Sequence, residues 1–143
     1  MSSLLFPDVN VWVALNFDRH THHGSARRWY EGVPTSAALV FCRQTQLGLF
    51  RILTTPAVMG QEALTQRECW QVYDQWTATG QVAWADEPQG LEKRLRALTG
   101  QAAGSPKEWM DAYLAALAES SGFRLVTFDR ALAGKVQGAV LLG

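Results

Sequence analysis

The stretch Arg124–Arg130, which reads Arg-Leu-Val-Thr-Phe-Asp-Arg, decides the fold. Apolar and β-branched residues follow the turn signal Ser121-Gly122 and predict a buried strand over Arg124–Phe128. The strand ends at Asp129, and a short helix is predicted to begin directly after it. Ligands of open α/β folds bind at the carboxyl ends of parallel strands, so this pattern predicts a functional carboxylate at that edge of a sheet.

The N-terminus repeats this arrangement. A short apolar run, Leu4–Pro7, ends at Asp8, and an apolar helix is predicted over Val9–Leu15. Two strands that are far apart in the sequence are therefore each followed by an aspartate at the turn between the strand and the next helix. We call each of these turns a corner. We expect the rest of the chain to bring these two corners together and to add further groups to them.

Strand and helix patterns alternate along the remaining sequence. Further strands are predicted at Thr35–Ala38, Gln81–Ala85 and Ala139–Leu142. Further helices are predicted around Ala26–Glu31, over Leu39–Leu53, from Thr65 to near Gly80, over Leu91–Leu98 and over Pro106–Ser120, with a small-residue connection at Gly100–Gly104. This order predicts one α/β domain over residues 1–143, in which a parallel five-stranded sheet is flanked by helices in three layers.

Composition restricts the class of protein. The chain has 143 residues, 48% of them hydrophobic, and is long enough to bury one core. No apolar run approaches the roughly 18 residues of a membrane span, and no secretion signal is evident, so a cytoplasmic protein is expected. The 13 basic and 13 acidic residues give zero net charge, so any attraction to nucleic acid must be local or supplied by metal ions or a partner.

Asp111 lies inside the predicted helix Pro106–Ser120, beside an apolar stripe that contains Met110, Leu114 and Leu117. The segment Ser105–Glu108 predicts a capping box at the start of this helix. Aspartate has poor propensity for a helix interior, although the positive helix end offsets part of the cost. Asp111 is therefore either a solvated side chain or a third functional carboxylate.

If the helix of Asp111 packs over the edge that carries Asp8 and Asp129, three carboxylates converge on one cleft. Carboxylates held close together repel one another and have raised pKa values, and a hard divalent cation removes this conflict. Mg²⁺ or Mn²⁺ held in this way activates water and neutralises phosphoryl charge. The sequence thus predicts metal-dependent phosphodiester hydrolysis, with Asn10 and Thr127 as groups that orient the ligands.

Three motifs, Asp8–Val11, Trp109–Ala115 and Thr127–Arg130, resemble those of the PIN-domain nucleases, and most of all the VapC toxins of bacterial toxin–antitoxin pairs. The resemblance covers essentially the whole chain. It implies an Mg²⁺- or Mn²⁺-dependent ribonuclease that is inhibited by a small antitoxin and is often a homodimer. It also implies that Asp8, Asp111 and Asp129 are the metal ligands.

One position departs from this pattern. PIN domains usually place a glutamate on the helix after the second strand, where this chain has Gln46. Gln46 is either a core-edge amide bonded to the backbone or a catalytic group in the cleft. An amide brings no charge, so we expect weaker occupancy of any second metal and a one-metal mechanism. Arg51, about one turn further on, either holds a phosphate or carboxylate or is a surface or structural arginine.

The segment Asp18–Gly24 contains three histidines, namely His20, His22 and His23. They form either a transition-metal site or a polar helix start near the mouth of the cleft. The two cysteines, Cys42 and Cys69, lack metal-type spacing and are expected to be buried free thiols.

Other functions fit less well. A receiver domain needs an acidic pair after its first strand and a lysine after its last, but Pro7-Asp8 supplies one acid and Gly138–Gly143 contains no lysine. A haloacid-dehalogenase-type phosphatase needs a second aspartate where Asn10 stands. A catalytically inactive RNA- or protein-binding module stays open because of Gln46. An active enzyme is expected to cleave single-stranded or looped RNA and to leave a 3′-hydroxyl and a 5′-phosphate.

Overall fold

A computed structural model describes residues 3–100 and 104–143 of the chain. Within these residues five strands form one sheet, and each hydrogen-bonded pair of neighbours is parallel. The strands are β1 Leu4–Pro7, β2 Ala38–Phe41, β3 Val82–Trp84, β4 Arg124–Thr127 and β5 Val140–Leu141. Their spatial order is β3-β2-β1-β4-β5. The predicted parallel sheet of five strands is confirmed.

The connections between the strands are mostly helical. The helices are α1 Val9–Asn16, α2 His23–Glu31, α3 Arg43–Leu53, α4 Pro56–Met59, α5 Gln66–Ala78, α6 Leu91–Thr99, α7 Pro106–Ser121 and α8 Arg130–Ala133. The short helix α4 and the 3₁₀ turn after it, Gly60–Glu62, are additions to the predicted order. The predicted connection at Gly100–Gly104 lies largely outside the described residues. No helix in the described ranges has the length and apolarity needed to cross a membrane.

The three central strands of the sheet, β1, β2 and β4, are buried on both faces by helices, which gives three layers. Successive strand residues point to opposite faces. One core cluster contains Leu5, Leu39, Phe41 and Val126 together with residues of α1, α2, α3 and α5. The other cluster contains Phe6, Val40 and Leu125 together with residues of α6, α7 and α8. Burial of both faces explains why the strands read as continuous apolar runs.

The prediction for the second strand was wrong at its boundary with the next helix. The strand is Ala38–Phe41 instead of Thr35–Ala38, and α3 begins at Arg43 instead of Leu39. Leu39 and its neighbours pair with β1 on one side and β3 on the other, so this fully buried run is strand. A short apolar run that is buried all round cannot be assigned to strand or helix from periodicity alone.

The start of α7 also differs from the prediction. The Ser105 side chain makes no capping hydrogen bond, and its backbone carbonyl accepts from the amide of Glu108 at 3.1 Å. Met110 was expected to be buried and is 47% exposed. Full burial of this helix begins only at Ala112, so its first turns lie outside the core. The capping box of α5 is formed as predicted, between Thr65 and Glu68.

Candidate active site

Asp8 and Asp129 occupy matching corners at the carboxyl edge of the sheet. Their strands are adjacent and parallel, with Pro7 paired to Val126. Asp8 is the N-cap of α1, and its Oδ1 accepts from the backbone amide of Val11 at 3.0 Å. Asp129 is the N-cap of α8 in the same way. Each carboxylate satisfies free amides at a positive helix end, so one local motif places both side chains.

Thr127 links these two corners. Its side chain is completely buried. The Thr127 hydroxyl donates to Asp8 Oδ2. Its oxygen, Oγ1, also accepts from the backbone amide of Asp129 at 2.9 Å. The structure thus brings Thr127 to the position expected for a group that orients an acidic side chain.

Asp111 reaches the same cleft from α7, where Lys107 joins it to Asp129. The Lys107 Nζ lies 2.7 Å from Asp129 Oδ2 and 3.7 Å from Asp111 Oδ2. Lys107 stands four residues before Asp111, a spacing that places the two side chains on one helix face. Lys107 was not predicted from the sequence. Its spacing indicates the pairing with Asp111, but the contact with Asp129 depends on how α7 packs beside the sheet.

The environment gives the three carboxyl groups different pKa values. Burial raises the pKa of Asp8 despite the bonds from Thr127 and Val11, and the charge of Asp129 raises it further. Burial likewise raises the pKa of Asp111, and the Asp129 charge again adds to the effect. The hydrogen bond from Lys107 lowers the pKa of Asp129. Asp129 therefore influences both other carboxyl groups, as expected for groups that share one cleft.

The donor set fits a hard divalent cation. All three side chains offer carboxylate oxygens, the ligands that Mg²⁺ and Mn²⁺ prefer. The ammonium of Lys107 lies between Asp111 and Asp129, so this part of the cleft already stabilises a positive charge. Across residues 3–100 and 104–143, no three His, Cys, Asp or Glu side chains lie close enough to surround one ion.

Gln46 lies at the start of α3 and is 2% exposed. Its Oε1 accepts from Arg43 Nη1 at 2.6 Å, so the oxygen binds a side chain instead of the backbone group considered in the sequence analysis. The Arg43 guanidinium also lies over the ring of Trp84, 4.5 Å from its centroid. Arg43 is a second residue that the sequence analysis missed.

Two other predicted site residues, Asn10 and Arg51, lie outside the group formed by Asp8, Asp111 and Asp129. The Asn10 side chain is exposed, while its backbone amide favours the ionised form of Asp8 and so acts against the rise of its pKa. Arg51 lines a cavity of about 400 Å³ between α3 and α5, beside Phe50 and Trp70.

The three histidines each have a separate contact and do not surround a common point. His23 Nδ1 lies 2.6 Å from the carbonyl oxygen of Ala14, which ties α2 to α1. The His22 ring stacks on Phe128 with centroids 4.5 Å apart. His20 Nδ1 accepts from the backbone amide of His22 at 3.0 Å. Of the two alternatives, this geometry favours a polar helix start beside the cleft.

Comparison with known proteins identifies the class to which this fold and site belong. A family model described as "PIN domain" matches residues 5–136 of the chain. The chain therefore belongs to the PIN domain family, which confirms the resemblance carried by the three aspartate motifs.

Within that family the chain is similar to Ribonuclease VapC41 of Mycobacterium tuberculosis, with 41% identity over 132 residues that cover 90% of each chain. Its fold is similar to that of Mycobacterium tuberculosis VapC20, described as a sarcin-ricin loop cleaving toxin. That match has a TM-score of 0.67 and 16% identity and covers 92% and 94% of the two chains. A toxin–antitoxin complex from Klebsiella pneumoniae matches with a TM-score of 0.58, 15% identity and 95% coverage of each chain.

Proposed function

We propose that this chain is a metal-dependent endoribonuclease and the toxin of a bacterial toxin–antitoxin pair. The observation that carries the proposal is the position of Asp8 and Asp129 after adjacent parallel strands, with Asp111 joined to Asp129 through Lys107. The similarity to a protein named Ribonuclease VapC41 supports RNA as the substrate. The solved toxin and the solved toxin–antitoxin complex share the fold and support the biological role.

In this proposal Asp8, Asp111 and Asp129 would close around one Mg²⁺ or Mn²⁺ once Lys107 is displaced, because in this structure they do not lie near enough to one another to surround an ion. When bound, such an ion supplies a Lewis acid that lowers the pKa of a coordinated water and neutralises charge on the phosphate. Gln46 adds no negative charge, so the chain offers three carboxylates and not four. This charge balance favours one ion over two.

The surrounding residues hold the carboxylates in place for hydrolysis. The Thr127 hydroxyl fixes the orientation of Asp8 Oδ2, and the amide at the start of α1 holds Asp8 Oδ1. The first turn of α8 holds Asp129 in the same manner. In the described part of the chain, no hydrogen bond joins a histidine to a serine or cysteine. This supports water as the nucleophile rather than a side chain.

Partners follow from the same proposal. A free ribonuclease would damage its own cell, so the chain is proposed to act in the cytoplasm under the control of a cognate antitoxin protein. A homodimer is the proposed form, in keeping with the resemblance to VapC toxins.

Incubation of the purified chain with RNA, with and without Mg²⁺ or Mn²⁺, tests the proposal. We expect cleavage that depends on the metal and is lost in Asp111→Asn. The matched control is Glu108→Gln, which removes one carboxylate from the same helix and should keep activity because Glu108 forms no ion pair within the described residues. Inactivity of the wild type with either metal on several RNAs would favour the inactive binding module instead.

A further inference from the structure

A charged cluster lies at the carboxyl edge of the sheet beside the carboxylate site. It consists of Arg43, Gln46 and Trp84. Arg43 is an exposed residue, yet its guanidinium is held from two sides, by Gln46 Oε1 at 2.6 Å and by the Trp84 ring at 4.5 Å. None of the ion pairs among the described residues includes Arg43. Its positive charge is therefore held in position without an ion pair, and the carboxylate beside this ring, Asp86, is bound to Trp84 Nε1 at 3.2 Å.

Strand register places this cluster close to the carboxylates. Strands β1 and β2 are parallel, and Leu5 is paired with Leu39. The same offset continued past the strand ends sets Asp8 beside Cys42, the residue before Arg43. Adjacent strands are about 4.8 Å apart, so these two corners are direct neighbours. The Arg43 guanidinium itself lies over Trp84 of β3, one strand further from Asp8.

Helix α3 is also packed closely on the helix that Asp8 caps. A Cβ added at Gly48 would meet Cγ2 of Val9 at 2.6 Å, and Val9 directly follows Asp8 in the chain. The position of the Arg43 cluster is therefore fixed relative to the carboxylates by backbone packing.

The amide at position 46 determines the charge of this corner. A carboxylate 2.6 Å from Arg43 Nη1 would form an ion pair and neutralise the guanidinium, whereas the Gln46 oxygen supports it without neutralising it. The whole chain has zero net charge, so an anionic polymer must be attracted by local groups of this kind. Arginine is well suited to such a role because its planar fork binds phosphate in a bidentate manner.

We propose that Arg43, positioned by Gln46 and Trp84, binds a backbone phosphate of the RNA next to the bond that is cleaved. The inference rests on the proposed function, because it takes RNA as the substrate. Arg43 contacts the substrate, while Gln46 and Trp84 are positioning residues. PIN domains usually have a glutamate at the position of Gln46. Here the amide leaves Arg43 free to bind phosphate, so we call Arg43, Gln46 and Trp84 the phosphate-binding corner.

Binding of a short fluorescein-labelled single-stranded RNA, followed by fluorescence anisotropy in Ca²⁺ over a series of salt concentrations, tests this assignment. Arg43→Ala should weaken binding by about fivefold to tenfold and reduce the slope of log K against log salt by about 0.7, the value for one phosphate contact on a single strand. Arg43→Lys should keep the slope and regain part of the affinity. The matched control is Arg124→Ala, at the opposite edge of the sheet, which should bind as the wild type does.

Cleavage kinetics with Mn²⁺ separate this inference from the proposed function. Arg43→Ala should raise KM by a similar factor and change kcat little, while thermal melting shows that the fold is kept. If the wild type cleaves RNA and Arg43→Ala has an unchanged KM and salt slope, the Arg43 assignment alone is wrong. If the wild type binds but does not cleave, the proposed function fails and the salt slope still decides the role of Arg43. If the wild type binds no RNA, both are overturned.

Discussion

The ammonium of Lys107 donates to Asp129 Oδ2 at 2.7 Å. It also lies 3.7 Å from Asp111 Oδ2, so two of the proposed metal ligands share an internal cation. A divalent ion that binds these carboxylates has to displace Lys107 from them. Lys107 therefore competes with the metal for the same negative charges.

Lys107→Met should increase the affinity of the metal-free protein for Mn²⁺ by several-fold, because it removes this competitor and keeps a side chain of similar length. Isothermal titration calorimetry measures the change without any need for activity. Lys93→Met, on the exposed surface of α6, is the matched control and should leave the affinity unchanged. Equal or weaker Mn²⁺ binding by Lys107→Met would contradict the competition.

Asp8→Asn should abolish cleavage and at the same time stabilise the metal-free protein. Burial raises the pKa of Asp8, so the fold favours the uncharged form, and an asparagine still caps α1 through its side-chain oxygen. The wild type loses stability as pH rises through the folded-state pKa, whereas the variant does not. Near neutral pH we expect a rise in Tm on the order of a few degrees, which shrinks as the pH is lowered. Thermal melts in EDTA measure it, and a lower Tm for the variant would refute this reading of Asp8.

Gly48→Ala should destabilise the protein by roughly 1–3 kcal/mol, the usual cost of forcing extra volume into a packed contact. The added Cβ would lie 2.6 Å from Cγ2 of Val9, so either the Val9 side chain or α3 has to shift next to Asp8. Urea unfolding measures the loss. The compensating variant is Gly48→Ala with Val9→Ala, which removes the clashing methyl groups and should recover most of the stability. A double variant as unstable as the single one would show that the contact with Val9 is not the cause.

Gln46→Glu should weaken RNA binding in Ca²⁺ to about the extent of Arg43→Ala. The new carboxylate would pair with Arg43, whose Nη1 already lies 2.6 Å from the side-chain oxygen at this position, and would neutralise the phosphate-binding corner. Anisotropy measures the affinity. The number of bound Mn²⁺ ions from calorimetry should stay the same, because Arg43 would neutralise the new carboxylate and leave no added negative charge for a second ion. Tighter RNA binding together with an additional bound metal would mean that position 46 is a metal-ligand position in this chain.

Much of the site was predictable because it depends on local sequence. Asp8 and Asp129 each follow a strand within two residues and cap the following helix, and both features are visible in a few consecutive residues. Thr127 was predicted as an orienting group from its place two residues before Asp129, and it contacts both corners. Parallel strands in one sheet then bring the two corners together without further information from side chains.

The parts that were missed depend on tertiary contacts or on burial. Lys107 binds Asp129 across 22 positions of sequence, and the Arg43 guanidinium lies on Trp84 from another strand. Met110 has the spacing of a core residue, but α7 enters the core only after it. In each case the contact or the exposure depends on how the helices and strands pack against one another, and a single sequence does not contain this information.

In the proposed function an activated water, directed by Asp8, Asp111 and Asp129, hydrolyses the RNA backbone. The end groups of the products test this role of water, because they record which group attacked the phosphate. Mass spectrometry of RNA fragments produced with Mg²⁺ or Mn²⁺ should show 5′-phosphate and 3′-hydroxyl ends. Fragments that end in a 2′,3′-cyclic phosphate would show that the ribose hydroxyl attacked instead, and the proposed role of the carboxylates would be wrong.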